Sequence, residues 1–261
     1  MINNKKNALI TGSTSGIGLA AAKVLAESGY RLMLHGLESD SEGQAIAENL
    51  AQISGEPVFY CQADLSHPDE IDKLIIQATE SLGSIDVLVN NAGIQYTSPL
   101  ESYPLEKWQQ VMAINLTAPF LAMQKVMPTM KAQGWGRVIN IASVHGLVAS
   151  ANKSAYCAAK HGLVGLTKVA AMEYAEAGVT ANCICPGWTD TPLLNHQFDE
   201  YAKNHDVSVE EAKVGMIKAK APYPEMIAPS AIGQTILFMC SEAAKGMTGT
   251  ALPLDGGWTA H

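Results

Sequence analysis

Tyr156 and Lys160 stand four residues apart in SAYCAAKHGL. On an α-helix that spacing puts a phenol and an ammonium on one face, about one 5.4 Å turn apart. A free tyrosine titrates near pH ~10 and is a poor base at neutral pH. A neighbouring cation favours the phenolate and makes it a usable proton acceptor. Ser143 closes the apolar run RVINIA thirteen residues upstream of Tyr156, where its hydroxyl can share a substrate oxygen with the phenol, to orient and stabilise it. A YxxxK pair alone is common on amphipathic helices; a serine at a strand end and a phosphate-type loop far upstream give this pair its weight.

That loop follows the run NALIT as Gly12, Ser13, Thr14, Ser15, Gly16, Ile17 and Gly18, before an alanine-rich helical stretch. Three glycines in a strand-to-helix turn allow close backbone approach and present a helix N-terminus to a pyrophosphate. Asn91-Ala92-Gly93 and Pro186-Gly187 close two further apolar runs. Small or special residues therefore recur at the carboxyl edge of a sheet, where a dinucleotide lies in open α/β folds.

The elements that must hold these groups are short Val/Ile/Leu runs alternating with helical periodicity, which predicts right-handed βαβ units. Strands are expected near 7–11, 31–35, 57–61, 86–90, 136–142, 179–185 and 250–254. Long helices are expected near 104–132 and 153–176, the second ending before Gly178. The fold class is α/β, a Rossmann-type doubly wound sheet of seven parallel strands flanked by helices, in one domain over 1–261. Between Pro186 and Pro229 no strand is expected; the stretch carries His196 and His205 and suggests a helical substrate lid inserted over about 189–228.

A chain of 261 residues with 48% apolar and 16% charged residues can fill one substantial core. Seventeen basic against twenty-five acidic residues give a formal charge of −8, which argues against nucleic acid and anionic membrane surfaces as partners. The first residues contain no signal-peptide core and no run reaches membrane-spanning length, so a cytoplasmic location is expected. The five cysteines are odd in number and scattered, which suits reduced thiols. Cys183 and Cys185 alternate within VTANCIC as two buried thiols on one strand face, and no metal site is expected.

Through TGSTSGIG, NNAG, the Ser143, Tyr156 and Lys160 set and the PG pair, the chain resembles the short-chain dehydrogenase/reductase family over nearly its whole length. The resemblance implies that Asn91, Ala92 and Gly93 border the adenosine, that Asp64 contacts the adenine with Leu65 beside it in the cofactor set, and that Thr191 holds the nicotinamide carboxamide. It also implies that Asn115, which in residue terms alone is an ordinary helix-interior amide, holds a water linking Lys160 to solvent. NAD is the expected cofactor: no Lys or Arg occurs between Gly12 and Gly18 or between Leu32 and Asp40 to neutralise a 2′-phosphate. Leu37 occupies the usual place of the ribose-binding acid, with Glu38 next to it.

Around the base, Lys153 precedes Tyr156 by three residues, so Lys153, Tyr156 and Lys160 fall on one helical face. His145 and Gln95 lie just past strand ends, and Gln197 lies in the lid segment. Together they offer donors for a carboxylate. Trp188 and Trp258, each after a turn, can wall a small apolar pocket or simply pack in the core. These six residues resemble the set of the family members that act on short 3-hydroxy acids. The resemblance implies reversible oxidation of (R)-3-hydroxybutyrate to acetoacetate, and a homotetramer to which the LDGGWTAH tail contributes contacts. The rival readings are an NADPH-dependent 3-oxoacyl thioester reductase of the same family and a non-catalytic dinucleotide sensor.

Overall fold

The computed structural model describes residues 5–260, apart from the side chains of Leu193 and His196. Seven strands form one parallel sheet: β1 (Asn7–Ile10), β2 (Arg31–Gly36), β3 (Val58–Gln62), β4 (Val87–Asn90), β5 (Gly136–Ile141), β6 (Val179–Pro186) and β7 (Ala251–Leu254). Their order across the sheet is 3-2-1-4-5-6-7. Each expected strand is present with ends moved by one residue or so. The side chain of His196, and His261 at the end of the LDGGWTAH tail, lie outside what is described.

Nine helices among the described residues connect the strands: α1 (Gly16–Glu27), α2 (Asp40–Ser54), α3 (Pro68–Leu82), α4 (Leu105–Met112), α5 (Ala118–Gln133), α6 (Ser154–Tyr174), α7 (Pro192–His205), α8 (Val209–Lys218) and α9 (Pro229–Cys240). Because side chains alternate along a strand, the sheet feeds two apolar layers. Ile10, Leu34 and Val89 pack against α1 and α9 through Leu25, Ile232 and Ile236. Leu9, Met33 and Leu88 pack on the other face against α3 and α5 through Leu74, Ala78 and Met127. Both faces are covered, as a parallel sheet requires.

The long helix expected over 104–132 is not continuous. It widens into a π turn at Ala113–Thr117 between α4 and α5, where the amide of Ala118 reaches back to the Ala113 carbonyl. Pro119 gives the cause: it has no N–H to return to the Asn115 carbonyl four residues earlier, so the regular ladder cannot run through this point. α6 ends at Tyr174 and a short 3₁₀ turn carries it to Gly178, close to the expected end.

Between β6 and α9 the expected absence of a strand holds except for one isolated bridge, Thr189 to Ile227. α7 and α8 fill the segment, packing Phe198 and Ile217 around Trp188. No helix among the described residues is long and apolar enough to cross a membrane.

Candidate active site

A cleft of about 440 Å³ runs along the carboxyl ends of β1, β2, β4, β5 and β6, a volume in the range of small-molecule sites. The phosphate loop forms its floor. Gly12 and Gly16 take positive φ, +60° and +51°, which an L side chain adopts only with strain. Gly12, Thr14, Ser15, Gly16 and Ile17 line the cleft. Gly18 lies behind them, so close that a Cβ would stand 2.1 Å from the Gly12 carbonyl oxygen. Its part is to let the loop close, and it does not itself line the cleft.

The loop is braced from neighbouring strands. The Asn91 amide donates to the carbonyls of Thr11 and Gly12 at 2.9 and 2.8 Å, while Thr11 Oγ1 accepts from the backbone amides of Asn91 and Ala92. Asn91 thus lines the cleft with its side chain already committed to the loop. His35 ties in the other side: Nδ1 accepts from the Gly12 amide at 3.0 Å, and Nε2–H donates to Ala63 O at 2.9 Å. Burial holds this imidazole below its ordinary pKa, in the neutral form the geometry needs. Sequence reasoning did not single out His35, since nothing local marks a histidine as a strut between loops.

At one end of the cleft stand Asp64, Leu65, Leu37 and Glu38. Asp64 Oδ1 accepts from the Ser66 amide, which is the first cause holding its carboxyl below the usual range. Glu38 Oε1 accepts from Thr14 Oγ1 at 2.8 Å, and Glu38 Oε2 is buried with no partner. Leu37 is 68% exposed and offers nothing polar, so beyond β2 the chain presents its acid one residue later, at Glu38.

At the other end, Ser143, Tyr156 and Lys160 converge on the cleft wall. Ser143 lies two residues beyond β5, capping a short turn with its hydroxyl on the His145 amide. Tyr156 and Lys160 project from the first turns of α6, and the ammonium lies 5.6 Å from the phenol ring centre. Burial pushes the Tyr156 phenol up to about 12, opposed by its hydrogen bond with Ser143. Burial also pulls Lys160 down to about 8, and its Nζ donates to Ile141 O at 2.8 Å.

Asn115 does not line the cleft. It sits in the π turn, fully buried, donating through Nδ2 to Ile94 O and Val111 O and leaving Oδ1 with no partner. A Cβ on Gly93 would stand 2.7 Å from that oxygen and 3.6 Å from Lys160 Nζ, so Gly93 is the bare backbone past which Asn115 and Lys160 face each other. The signal for this arrangement was Pro119.

Gln95, His145, Lys153, Trp188 and Trp258 all line this same end, with Pro186, Gly187 and Thr191. The structure corrects one expectation: Lys153 is the residue before α6, at φ −120° and ψ 36°, not a member of its helical face. Its side chain nevertheless reaches the cleft, where Nζ donates to Gln197 Oε1 at 3.0 Å. Gln197 itself stands behind Lys153 rather than on the wall. Gln197 Nε2 and Trp188 Nε1 are buried without acceptors.

The His145 ring meets Tyr156 and Trp258 edge-on at 5.9 and 5.5 Å, and Trp258 lies 5.4 Å from Trp188. The tryptophans are therefore both core and wall. Burial, then the charges of Lys153 and Lys220, push His145 down to about 3, so the ring is neutral. Thr191 contacts the phosphate loop across Gly16, where a Cβ would lie 3.3 Å from its methyl group.

A charge gradient emerges. The two acids on the cleft wall, Glu38 and Asp64, lie at one end, and its two lysines, Lys153 and Lys160, at the other. Cys183 and Cys185 face away into an apolar cluster; burial pushes their thiols up to about 11 and about 12. Among the described residues no group of three His, Cys, Asp or Glu is placed to hold a metal ion.

The short chain dehydrogenase family model matches residues 6–202. The chain belongs to that family. It is 46% identical to a D-beta-hydroxybutyrate dehydrogenase of Cupriavidus necator over 259 residues, covering 99% of both chains. It is 42% identical to a D-beta-hydroxybutyrate dehydrogenase of Rhizobium meliloti over 98% of this chain and 99% of the relative. Among solved structures, an actinorhodin polyketide ketoreductase with NADPH superposes with a TM-score of 0.92 at 32% identity, covering 99% of this chain and 98% of that one. A short-chain dehydrogenase with this sheet takes a nicotinamide dinucleotide. The residues present fit one: a loop that only glycine can close at position 18, and an unpartnered carboxylate oxygen on Glu38 at the end of the cleft away from Tyr156.

Proposed function

We propose that this short-chain dehydrogenase oxidises (R)-3-hydroxybutyrate reversibly to acetoacetate with NAD. One observation carries the reading. The catalytic end of the cleft gathers the half-buried ammonium of Lys153 and the buried, unpaired indole N–H of Trp188, beside Tyr156 and with no carboxylate on the wall there. An unpaired buried donor is costly, and a small carboxylate satisfies it while pairing with the ammonium. The names of the two hydroxybutyrate dehydrogenase relatives support the same class of acid.

In this reading Gln95, His145, Lys153, Trp188, Gln197 and Trp258 hold the acid, and the alcohol meets Ser143 and Tyr156. Ser143 Oγ donates to the substrate oxygen, and Tyr156 Oη takes the hydroxyl proton as the carbonyl forms. Lys160 stabilises the phenolate by its charge. Bound nicotinamide supplies the hydride acceptor. Asn115 Oδ1, unpaired beside Lys160, holds a water that passes the proton on. Thr191 orients the carboxamide, while Gly12, Thr14, Ser15, Gly16, Ile17, Asp64, Leu65, Asn91, Ala92, Gly93, Pro186 and Gly187 shape the dinucleotide bed.

NAD rather than NADP is supported by the Glu38 carboxylate and by the absence of Lys and Arg from the adenosine end of the wall, since a 2′-phosphate there meets only negative charge. α7 and α8 act as the lid over the acid. We take the working form to be a cytoplasmic homotetramer; the exposed Phe120, Val169 and Met172 on α5 and α6 support self-association, and the five free cysteines suit a reducing compartment. The test is turnover of (R)-3-hydroxybutyrate, its S enantiomer and a 3-oxoacyl thioester with each cofactor. Selective oxidation of the R acid with NAD is expected; preference for the thioester with NADPH overturns the reading. Tyr156→Phe separates catalysis from sensing: NADH production disappears while NADH binding stays, whereas a wild-type protein that binds but never turns over is a sensor.

A further inference from the structure

Beyond α8 the chain does not leave the site. Lys220 and Ala221 close the helix with amide bonds to Ile217 O at 3.0 and 2.8 Å, and the Tyr223 amide then pairs with Gly256 O at 3.0 Å. The contact is tight, since a Cβ on Gly257 would stand 2.8 Å from Pro222 and one on Gly256 3.0 Å from Tyr223. On the facing side Asp255 fixes the turn, accepting from the Gly257 and Thr259 amides at 2.9 and 2.8 Å. The segment around Lys220 is thereby locked to the turn that presents Trp258.

Lys220 uses that position. Its ammonium lies 5.9 Å over the Trp258 ring, which stands nearly perpendicular to the His145 ring of the cleft with 5.5 Å between their centres. Lys220 is exposed and forms no ion pair among the described residues. Its charge is nonetheless felt inside, since it lowers the proton affinity of both His145 and Lys153. A cation that disfavours further positive charge at two groups of the pocket favours an anion placed between them.

We propose that Lys220 is a specificity-determining residue of this site: a rim cation, held over Trp258 by the Tyr223–Gly256 pairing, that draws short carboxylates toward Lys153 and favours acids over neutral alcohols. It rests on the hydroxy-acid reading above. Rim charges act through long-range attraction, so their effect is strongest at low salt and fades as the Debye length shortens.

The experiment compares wild type, Lys220→Ala, Lys220→Glu and Lys220→Arg in two arms. The first measures kcat and KM for (R)-3-hydroxybutyrate and for a neutral secondary alcohol across ionic strength. A rim charge within about 6 Å of a bound carboxylate in a largely aqueous setting is worth about 3-fold, so Lys220→Ala raises the acid's KM about 3-fold at about 0.02 M salt and less than about 2-fold at about 0.5 M. Lys220→Glu raises it further, Lys220→Arg restores it, and kcat, NADH affinity and the neutral alcohol are unchanged. The second arm titrates the NADH-loaded protein with acetate, read by tryptophan fluorescence, and needs no turnover. If wild type fails to oxidise the hydroxy acid, the functional reading falls while this arm still decides on Lys220: weaker acetate binding in Lys220→Ala upholds it. Unchanged acetate binding and an unchanged acid KM overturn it, as does an equal loss for the neutral alcohol.

Discussion

Replacing Lys160 by Met is expected to stabilise the protein while disabling it. Burial lowers Lys160 from 10.5 to about 8 in the folded state. At pH 7 the lysine is charged in both states, so the folded chain carries the full cost of that shift, about 2.5 pKa units or about 3 kcal/mol. The methionine removes the cost but strands the Ile141 carbonyl that Nζ now serves at 2.8 Å, a loss of about 1 kcal/mol. The net expectation is a gain of about 2 kcal/mol at pH 7. Because the folded pKa is depressed, the penalty fades as pH rises from about 8 toward 10.5, and the advantage of the variant fades with it. Activity moves the other way. With 5.6 Å between the ammonium and the phenol ring and an effective dielectric of about 20, the lost attraction for a phenolate is about 3 kcal/mol, about 100-fold in rate at neutral pH. Denaturant unfolding at pH 7 and about 10, with NADH production followed in parallel, reads both effects. A variant less stable at pH 7, with a difference from wild type that does not change with pH, refutes the reasoning, as does activity within tenfold of wild type.

Gly18→Ala places a methyl group 2.1 Å from the Gly12 carbonyl; it should destabilise the fold by about 1–3 kcal/mol and weaken NADH binding at least about tenfold, as measured by fluorescence titration, since the loop must open to admit it. Lys153→Ala removes a charge-assisted contact to the acid, so KM for the hydroxy acid should rise by about 10- to 100-fold with kcat little changed in steady-state assays. His145 is held at about 3 against an ordinary 6.5, so its contribution to stability is intact above about pH 6.5 and shrinks as pH falls toward 3. The loss should reach about 2 kcal/mol by pH 5, and thermal melts of His145→Gln should lack that part of the acid sensitivity.

What was legible in the sequence was what is local. The strands show because a sheet covered on both faces needs near-continuous apolar runs, and Tyr156 and Lys160 show because helical spacing alone puts them together. The π turn at Ala113–Thr117 was hidden behind helical periodicity, although Pro119 marked it. The contacts of Thr14 with Glu38 and of Lys153 with Gln197 join residues far apart in the chain, and no spacing rule reaches them. Lys153 illustrates the limit: periodicity set it on the helix, whereas the chain is only entering α6 there, and the side chain arrives at the cleft by a different route.

The middle of the sheet has a consequence for how the molecule comes into being. β1 pairs on one side with β2 and on the other with β4, so the chain must bring residues some eighty positions apart into register before Thr11 can receive the amides of Asn91 and Ala92. Closing such distant pairings is slow relative to local structure. Neither half of the sheet builds the cleft without the other, because the loop belongs to one and Tyr156 to the other. Recovery of turnover after dilution from denaturant therefore times the joining of that seam, and a partly folded chain stays silent however much helix it has regained.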